Sequence, residues 1–400
     1  MNVIDSILAD AAAVTAIRRD LHAHPELCFE EHRTADVVAR ALAECGIEVH
    51  RGIGRTGVVG VLRNGSSARG IGLRADMDAL PMTERNTFAH ASRHPGKMHA
   101  CGHDGHTTML LAAARHLARQ RRFDGKVYLV FQPAEEGGGG AREMIRDGLF
   151  ARFPMEAIFG MHNWPGLAVG SFAVCDGPAM ASSSEFRIVI GGRGAHAALP
   201  HNGIDPVPVA CQMVQAFQTI VTRNKKPLDA AVVSVTMIHT GEATNVMPDR
   251  CEIQGTVRTF TLPVLDLIEQ RMREIAEHTC AAFGTRCEFE FRRNYPPTVN
   301  HPAAAGFVRE VMREIAGPAR TLEFEPTMGA EDFSYFLLEK PGAYFVIGNG
   351  NGAHRGEGGH DQGLCALHNP HYDFNDELIP LGATLWVRLA EKWLAAAPRG

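Results

Sequence analysis

Four short stretches of this 400-residue chain hold side chains able to bind metal or move protons. The first is Cys101-Gly102-His103-Asp104-Gly105-His106. A thiolate and an imidazole two residues apart face one point if the chain is extended, and the glycines permit a tight bend. The plain alternative is a turn that opens a helix at Thr107, capped by Asp104 or Thr107. The second is Glu135-Glu136, which follows the apolar run 126–131 and precedes four glycines, Gly137 to Gly140. A solvated acidic loop explains the charge, but not the position after a buried strand, nor the glycines. Side chains alternate along an extended chain, so one carboxylate can ligate a cation while its neighbour reaches a water bound there. The third is His162, which closes the apolar run 157–161. Taken singly, such a histidine is more often a hydrogen-bonded core residue. The fourth is His368 and His371, flanking a turn built by Asn369-Pro370, with a hydrogen-bonded loop as the alternative.

These stretches fall at the ends of elements that the hydrophobic pattern predicts. Apolar residues at Ile4, Ile7 and Leu8, and at Ala35, Val38, Ala39 and Leu42, follow helical spacing. Residues 4–45 therefore read as two helices around Pro25, with Gly46 as a C-cap. Strands at 58–62, 71–73, 126–131 and 157–161, with a helix at 107–119, give an α/β domain with a largely parallel sheet. From Ser184 the pattern changes: strand 186–190, helix 205–221, strands 231–238 and 251–258, helix 262–283 with Thr261 as N-cap, and strand 286–291. That β-α-β-β-α-β order is ferredoxin-like. After Pro297 the α/β pattern resumes, with helices at 302–315 and near Phe333, a strand at 343–347, and a helix running to Trp393. The expected division is a domain of residues 1–183 and 296–400 and an inserted domain of residues 184–295.

Bulk properties narrow the function. Hydrophobic residues make up 45% and charged residues 21%, as in an ordinary globular enzyme. The net charge of -5 is spread along the chain, and the longest basic clusters are Arg121-Arg122 and Lys225-Lys226. Nothing there neutralises a run of phosphates, so nucleic acid is not an expected partner. No apolar run has the length of a membrane span, and the N-terminal stretch lacks the pattern of a signal peptide. The expected location is the cytoplasm, with most of the nine cysteines reduced. Histidines cluster at 90–106 and at 354–371, which favours metal. The glycine-rich stretch before His368, which holds His354 and His360, reads as a mobile lip.

The motifs together resemble the M20 metallopeptidase family. Within it they are most similar to the aminoacylase and hippurate hydrolase-like amidohydrolases, a group that includes hydrolases of auxin–amino acid conjugates. The resemblance spans essentially the whole chain, in family order: 21–26, 74–81, 101–106, 132–136, 160–164, 194–196, Thr244-Asn245, 329–333 and 367–370. It implies a zinc-peptidase-like catalytic domain carrying an inserted ferredoxin-like lid and dimerisation domain, and a homodimer or higher homo-oligomer. It also implies two divalent metal ions, zinc or manganese with cobalt as a further candidate. Their ligands would be Cys101, His103, Glu136, His162 and His368, with Cys101 favoured as the bridge. Glu135 would be the general base, and Asp76 a carboxylate behind the ligands that orients a ligand histidine. Arg74 stands where much of the wider family has a ligand histidine, and it should not bind metal. His196 resembles the lid histidine that reaches an active site, commonly across the dimer, to stabilise an oxyanion. Asn245 and Arg258 resemble the residues that hold a substrate carboxylate. Gly329 and Glu331 resemble pocket-lining residues near the metals. The implied reaction is hydrolysis of N-acyl-amino acids, small molecules such as hippurate or N-acetyl-amino acids. A dipeptidase or carboxypeptidase on the same centre is the alternative, and a non-catalytic binding protein is a weaker one. A phosphoesterase is disfavoured by the absence of a phosphate-cradling loop in the sequence.

Overall fold

Strands Gly70–Asp76, Gly125–Gln132, Ala157–Pro165 and Gly342–Gly350 are apolar and almost wholly buried. Such strands need cover on both faces, and a parallel sheet under helices supplies it. In the computed structural model, which describes residues 1–358 and 365–395, these four form the parallel centre of an eight-stranded sheet. Glu48–Ile53 and Gly57–Asn64 extend one side antiparallel. Phe172–Val174 and Thr321–Glu323 extend the other. Helices His103–Gln120, Pro302–Ala316 and Leu378–Ala395 share a core with the sheet, including Leu110, Phe131, Phe159, Phe307, Phe345 and Trp386.

Two local expectations change. Residues 4–45 hold three helices, Asp5–Ala9, Ala11–Ala23 and His32–Glu44, rather than two. Strand Glu48–Ile53 was not legible, because only Ile53 in it is buried and no apolar alternation marks it.

The chain divides into two compact units, one of Met1–Ala179, Val299–Glu325 and Asp332–Gly400, the other of Met180–Thr298 and Pro326–Glu331. In the second, strands Ser183–Gly191, Ala231–His239, Arg250–Thr259 and Cys287–Tyr295 pair antiparallel in the spatial order second, third, first, fourth. Helices Pro206–Thr219 and Leu262–Ala282 lie between them in the chain, completing the ferredoxin-like order. Burial alternates along Arg250–Thr259, and its inward residues Ile253 and Val257 pack with Met213, Phe217, Ile268 and Met272 of the helices. Thr261 precedes the second helix without a side-chain capping bond, whereas Asp205 caps the first by accepting from the Val207 N–H at 2.9 Å.

Candidate metal centre

The α/β unit gathers the four stretches at strand ends and the loops that follow them, the usual place for a site on such a sheet. Ligand atoms of Cys101, His103 and His162 lie within 4.8 Å of one another, as do those of Cys101, Glu136 and His368, and those of His103, Glu135 and Glu136. The sets share members, so all six residues belong to one cluster.

The backbone reaches this arrangement differently from the extended geometry expected. Gly102 is left-handed (φ 93°), and His103 is already the first residue of the helix. A side chain at 102 would collide with Asn163 Nδ2 and Tyr372 Oη. Asn163 in turn donates from Nδ2 to the Cys101 carbonyl (2.7 Å) and accepts from the Tyr372 hydroxyl (2.8 Å). Nor do the two glutamates alternate along a strand. They sit in a turn after Ala134, whose φ of 52° is unusual for a residue with a side chain. Asp78, which the sequence did not single out, holds that turn. Its carboxylate accepts from the N–H of Glu135 (3.0 Å) and of Glu136 (2.9 Å). His368 is also left-handed (φ 60°), and it brings Nε2 to 3.2 Å from Glu136 Oε1.

His103 and His162 each have one nitrogen spoken for. His103 Nδ1 donates to the Asp78 carbonyl at 2.9 Å, and His162 Nδ1 to the Asn163 carbonyl at 2.7 Å. Their Nε2 atoms therefore face the cluster, that of His162 lying 3.3 Å from Cys101 Sγ. His106 is different. Its Nδ1 donates to Asp76 (2.6 Å) and its Nε2 accepts the Asn163 backbone N–H (2.9 Å), so both nitrogens are occupied. Asp76 thus grips His106 directly, while its other oxygen lies 3.8 Å from His103 Nε2. The carboxylate that sits against His103 Nδ1 is that of Asp78, at 3.3 Å. Arg74 binds Gln132, Asp76 and Asp332 and is fully buried, which fits an arginine that ligates nothing.

The donor set suits a cation. His103 Nε2 is buried with no hydrogen-bond partner, 4.0 Å from the buried Glu136 Oε1, whose near neighbour is His368 Nε2. Buried polar atoms left unpaired are costly. Burial, then the Glu136 and Glu135 charges, push the Cys101 thiol up. Burial opposes charge on His103, yet Asp76 and Asp78 outweigh it and raise the imidazole to about 10. Both protons are ones that a cation displaces. Glu135 is itself buried, and its Oε1 accepts from the Asp332 N–H at 3.4 Å.

The remaining expected residues fall in the second unit. His196 pairs with Val246 on a short two-stranded ladder, and the Ala197 N–H donates to the Asn245 carbonyl at 3.0 Å. Arg258 is half-buried on strand Arg250–Thr259, and burial lowers its pKa. Gly329 and Glu331 belong to segment Pro326–Glu331. His354 gives one nitrogen to the Asp373 carbonyl (2.9 Å), and His360 lies outside the described residues.

A thiol, imidazoles and carboxylates gathered at the end of a mixed sheet form a centre of the kind that a metal-dependent hydrolase uses. The chain belongs to peptidase family M20/M25/M40, whose family model matches residues 72–392. It is 41% identical to the hippurate hydrolase of Campylobacter jejuni over 98% of this chain and 100% of that one. It is 40% identical to the N-acetyl-L-cysteine deacetylase of Bacillus subtilis over 91% of this chain and 84% of that one. A solved Bacillus subtilis structure, described as a dinuclear metal binding peptidase from the M20 family, superposes with a TM-score of 0.84 at 33% identity, covering 98% of this chain and 99% of that one.

Proposed function

We propose that this enzyme hydrolyses N-acyl-amino acids to a carboxylic acid and a free amino acid, with Cys101, His103, Glu136, His162 and His368 holding two divalent metal ions. The observation that carries this is the convergence of those five residues with Glu135, together with two relatives named for removing benzoyl and acetyl groups. Bound divalent metal supplies Lewis acidity toward the acyl carbonyl and makes water a better nucleophile at neutral pH. Glu135 takes a proton from the attacking water and returns it to the leaving nitrogen as the C–N bond breaks. His196 as oxyanion donor, Asn245 and Arg258 as carboxylate holders, and Gly329 and Glu331 as pocket lining rest on their motifs. The thiolate favours zinc and the carboxylates admit manganese. No helix among the described residues is long and apolar enough to cross a membrane, and a cytoplasmic location is part of the proposal. So is a homodimer, supported by edge strand Ala231–His239, on which Met237 and Ile238 are exposed.

The test is a panel of hippurate and N-acetyl-amino acids, run against glycine dipeptides with manganese, zinc or cobalt. Turnover of the acyl substrates is expected. The peptidase description of the Bacillus subtilis structure gives the second reading, in which the dipeptides turn over instead. Silence on the whole panel with metal loaded would overturn both. Glu135→Gln should keep metal and lose about 10²- to 10⁴-fold in kcat; a variant near the wild-type rate removes Glu135 as the base.

A further inference from the structure

Three residues with side chains adopt left-handed backbone close to one buried carboxylate: Phe29 (φ 62°), Arg55 (φ 76°) and Ala134 (φ 52°). The carboxylate is Glu31, fully buried near the start of helix His32–Glu44. Its Oε1 accepts two backbone N–H groups at once, from Phe29 (3.0 Å) and from Ala134 (2.8 Å). Its Oε2 accepts the hydroxyl of Thr56, the residue after Arg55. The Arg55 guanidinium stacks over the Phe29 ring at 4.1 Å, closing the group. Gly138 fits against it, since a Cβ there would meet the Ala134 methyl at 2.6 Å and the Phe29 ring at 3.1 Å.

Left-handed backbone costs a residue with a Cβ about 1–2 kcal/mol. Such strain persists only where surrounding structure enforces it, and it concentrates at functional sites. Ala134 immediately precedes Glu135. Beyond it, the turn is held at Glu135 and Glu136 by Asp78 and closed by a bond from the Gly140 N–H to the Ala134 carbonyl (3.0 Å). The direction in which Glu135 leaves the chain therefore depends on the conformation of Ala134, and Glu31 fixes it through the one N–H that Ala134 owns.

We infer that Glu31 is a positioning residue: by pinning the left-handed Ala134 it aims the Glu135 carboxylate at the proton it must take. This rests on Glu135 being the base, and it extends that role to a residue more than a hundred positions away in the chain.

The experiment compares Glu31→Ala, Glu31→Asp and Glu31→Gln, each with and without Ala134→Gly, in protein loaded with manganese. Glu31→Ala should lose about 10²-fold in kcat, the scale of a displaced catalytic group, with KM and metal content little changed. Glu31→Asp, whose carboxylate is withdrawn by one methylene, should fall in the same direction. Glu31→Gln keeps an acceptor for both N–H groups and should stay near wild type. Glycine takes positive φ without the Cβ penalty, so Ala134→Gly should restore kcat of the Ala and Asp variants by about five- to thirtyfold, which is that penalty expressed as a ratio. In the metal-free protein, amide exchange over residues 134–138 should quicken in Glu31→Ala and slow again in the double variant. A full rate in Glu31→Ala, or a loss that Ala134→Gly does not restore, overturns the inference. Failure of both the Ala and Asp variants to fold assigns Glu31 to stability alone and overturns it too. Glu135→Gln in the same assay separates the two claims: if it keeps its rate, the base itself is misassigned.

Discussion

His103 and His106 lie on adjacent turns of one helix, and both are buried beside Asp76, yet only His103 keeps a nitrogen for a ligand. The difference is Asn163: its backbone N–H donates to His106 Nε2 and its side-chain amide lies 3.0 Å from the same atom, while nothing donates to His103 Nε2. Asp78 then sets both halves of the centre. It meets His103 Nδ1 through its carbonyl and its carboxylate, and it holds the amides of Glu135 and Glu136. Partners behind metal ligands commonly control affinity by about 10- to 100-fold. Asp78→Asn should therefore weaken metal binding by about that factor, because its amide N–H₂ faces donors where an acceptor stood. A metal titration checks this, and unchanged affinity would remove Asp78 from the centre.

At the scale of elements, helix Ala11–Ala23 supports the site through a buried ionic network. Arg18, with no exposed surface, reaches Asp373 at 2.8 Å and Asp376 at 2.7 Å, and lies 3.5 Å from Asp104. Asp104 follows His103 in the chain, and Asp373 lies in the loop after His368, so this helix ties together the segments that carry His103 and His368. His22 donates from both nitrogens, to Asp104 at 2.9 Å and to Glu84 at 3.2 Å. Burial works against its charge, but Asp104 and Glu84 prevail and raise it from 6.5 to about 10. An imidazole that holds its proton more tightly when folded contributes its full stability below pH 6.5, and loses it as the pH rises through about 10. The melting temperature should fall across that window, and the fall should be shallower in His22→Phe than in the wild type. Parallel curves would show that His22 carries no such linkage.

For the whole molecule, the centre joins parts of the chain far apart in sequence, so bound metal should act as a staple on the α/β unit. A ligand that binds only the folded state at a hundred times its Kd stabilises by about 2.7 kcal/mol. For a 400-residue chain that is a rise in Tm of about 3 °C. Chelation should remove it together with activity, and added manganese or zinc should restore both. A Tm indifferent to chelator in protein shown to have carried metal would contradict a centre built from both ends of the unit.

Much was legible in the residues alone. The apolar runs 126–131 and 157–161 marked buried strands, and the β-α-β-β-α-β order marked the ferredoxin-like unit, because two-residue and 3.6-residue periodicities survive in sequence. The types at Cys101, His103, Glu135, Glu136, His162 and His368 allowed metal and proton chemistry, and the family resemblance assigned the roles. What the sequence could not hold was how they meet. Local pattern suggested extended backbone at Cys101–His103 and at the glutamate pair. The structure instead uses left-handed turns at Gly102, Ala134 and His368, which carry no periodic signal. Asp78, His106 and Asn163 stood inside the motifs without a role, and Glu31 stood outside them, since their importance lies in partners brought near by the fold rather than by spacing. Residue chemistry is local and can be read along a chain; the tautomer of a histidine or the aim of a carboxylate is set by atoms tens or hundreds of residues away, and only the tertiary structure decides it.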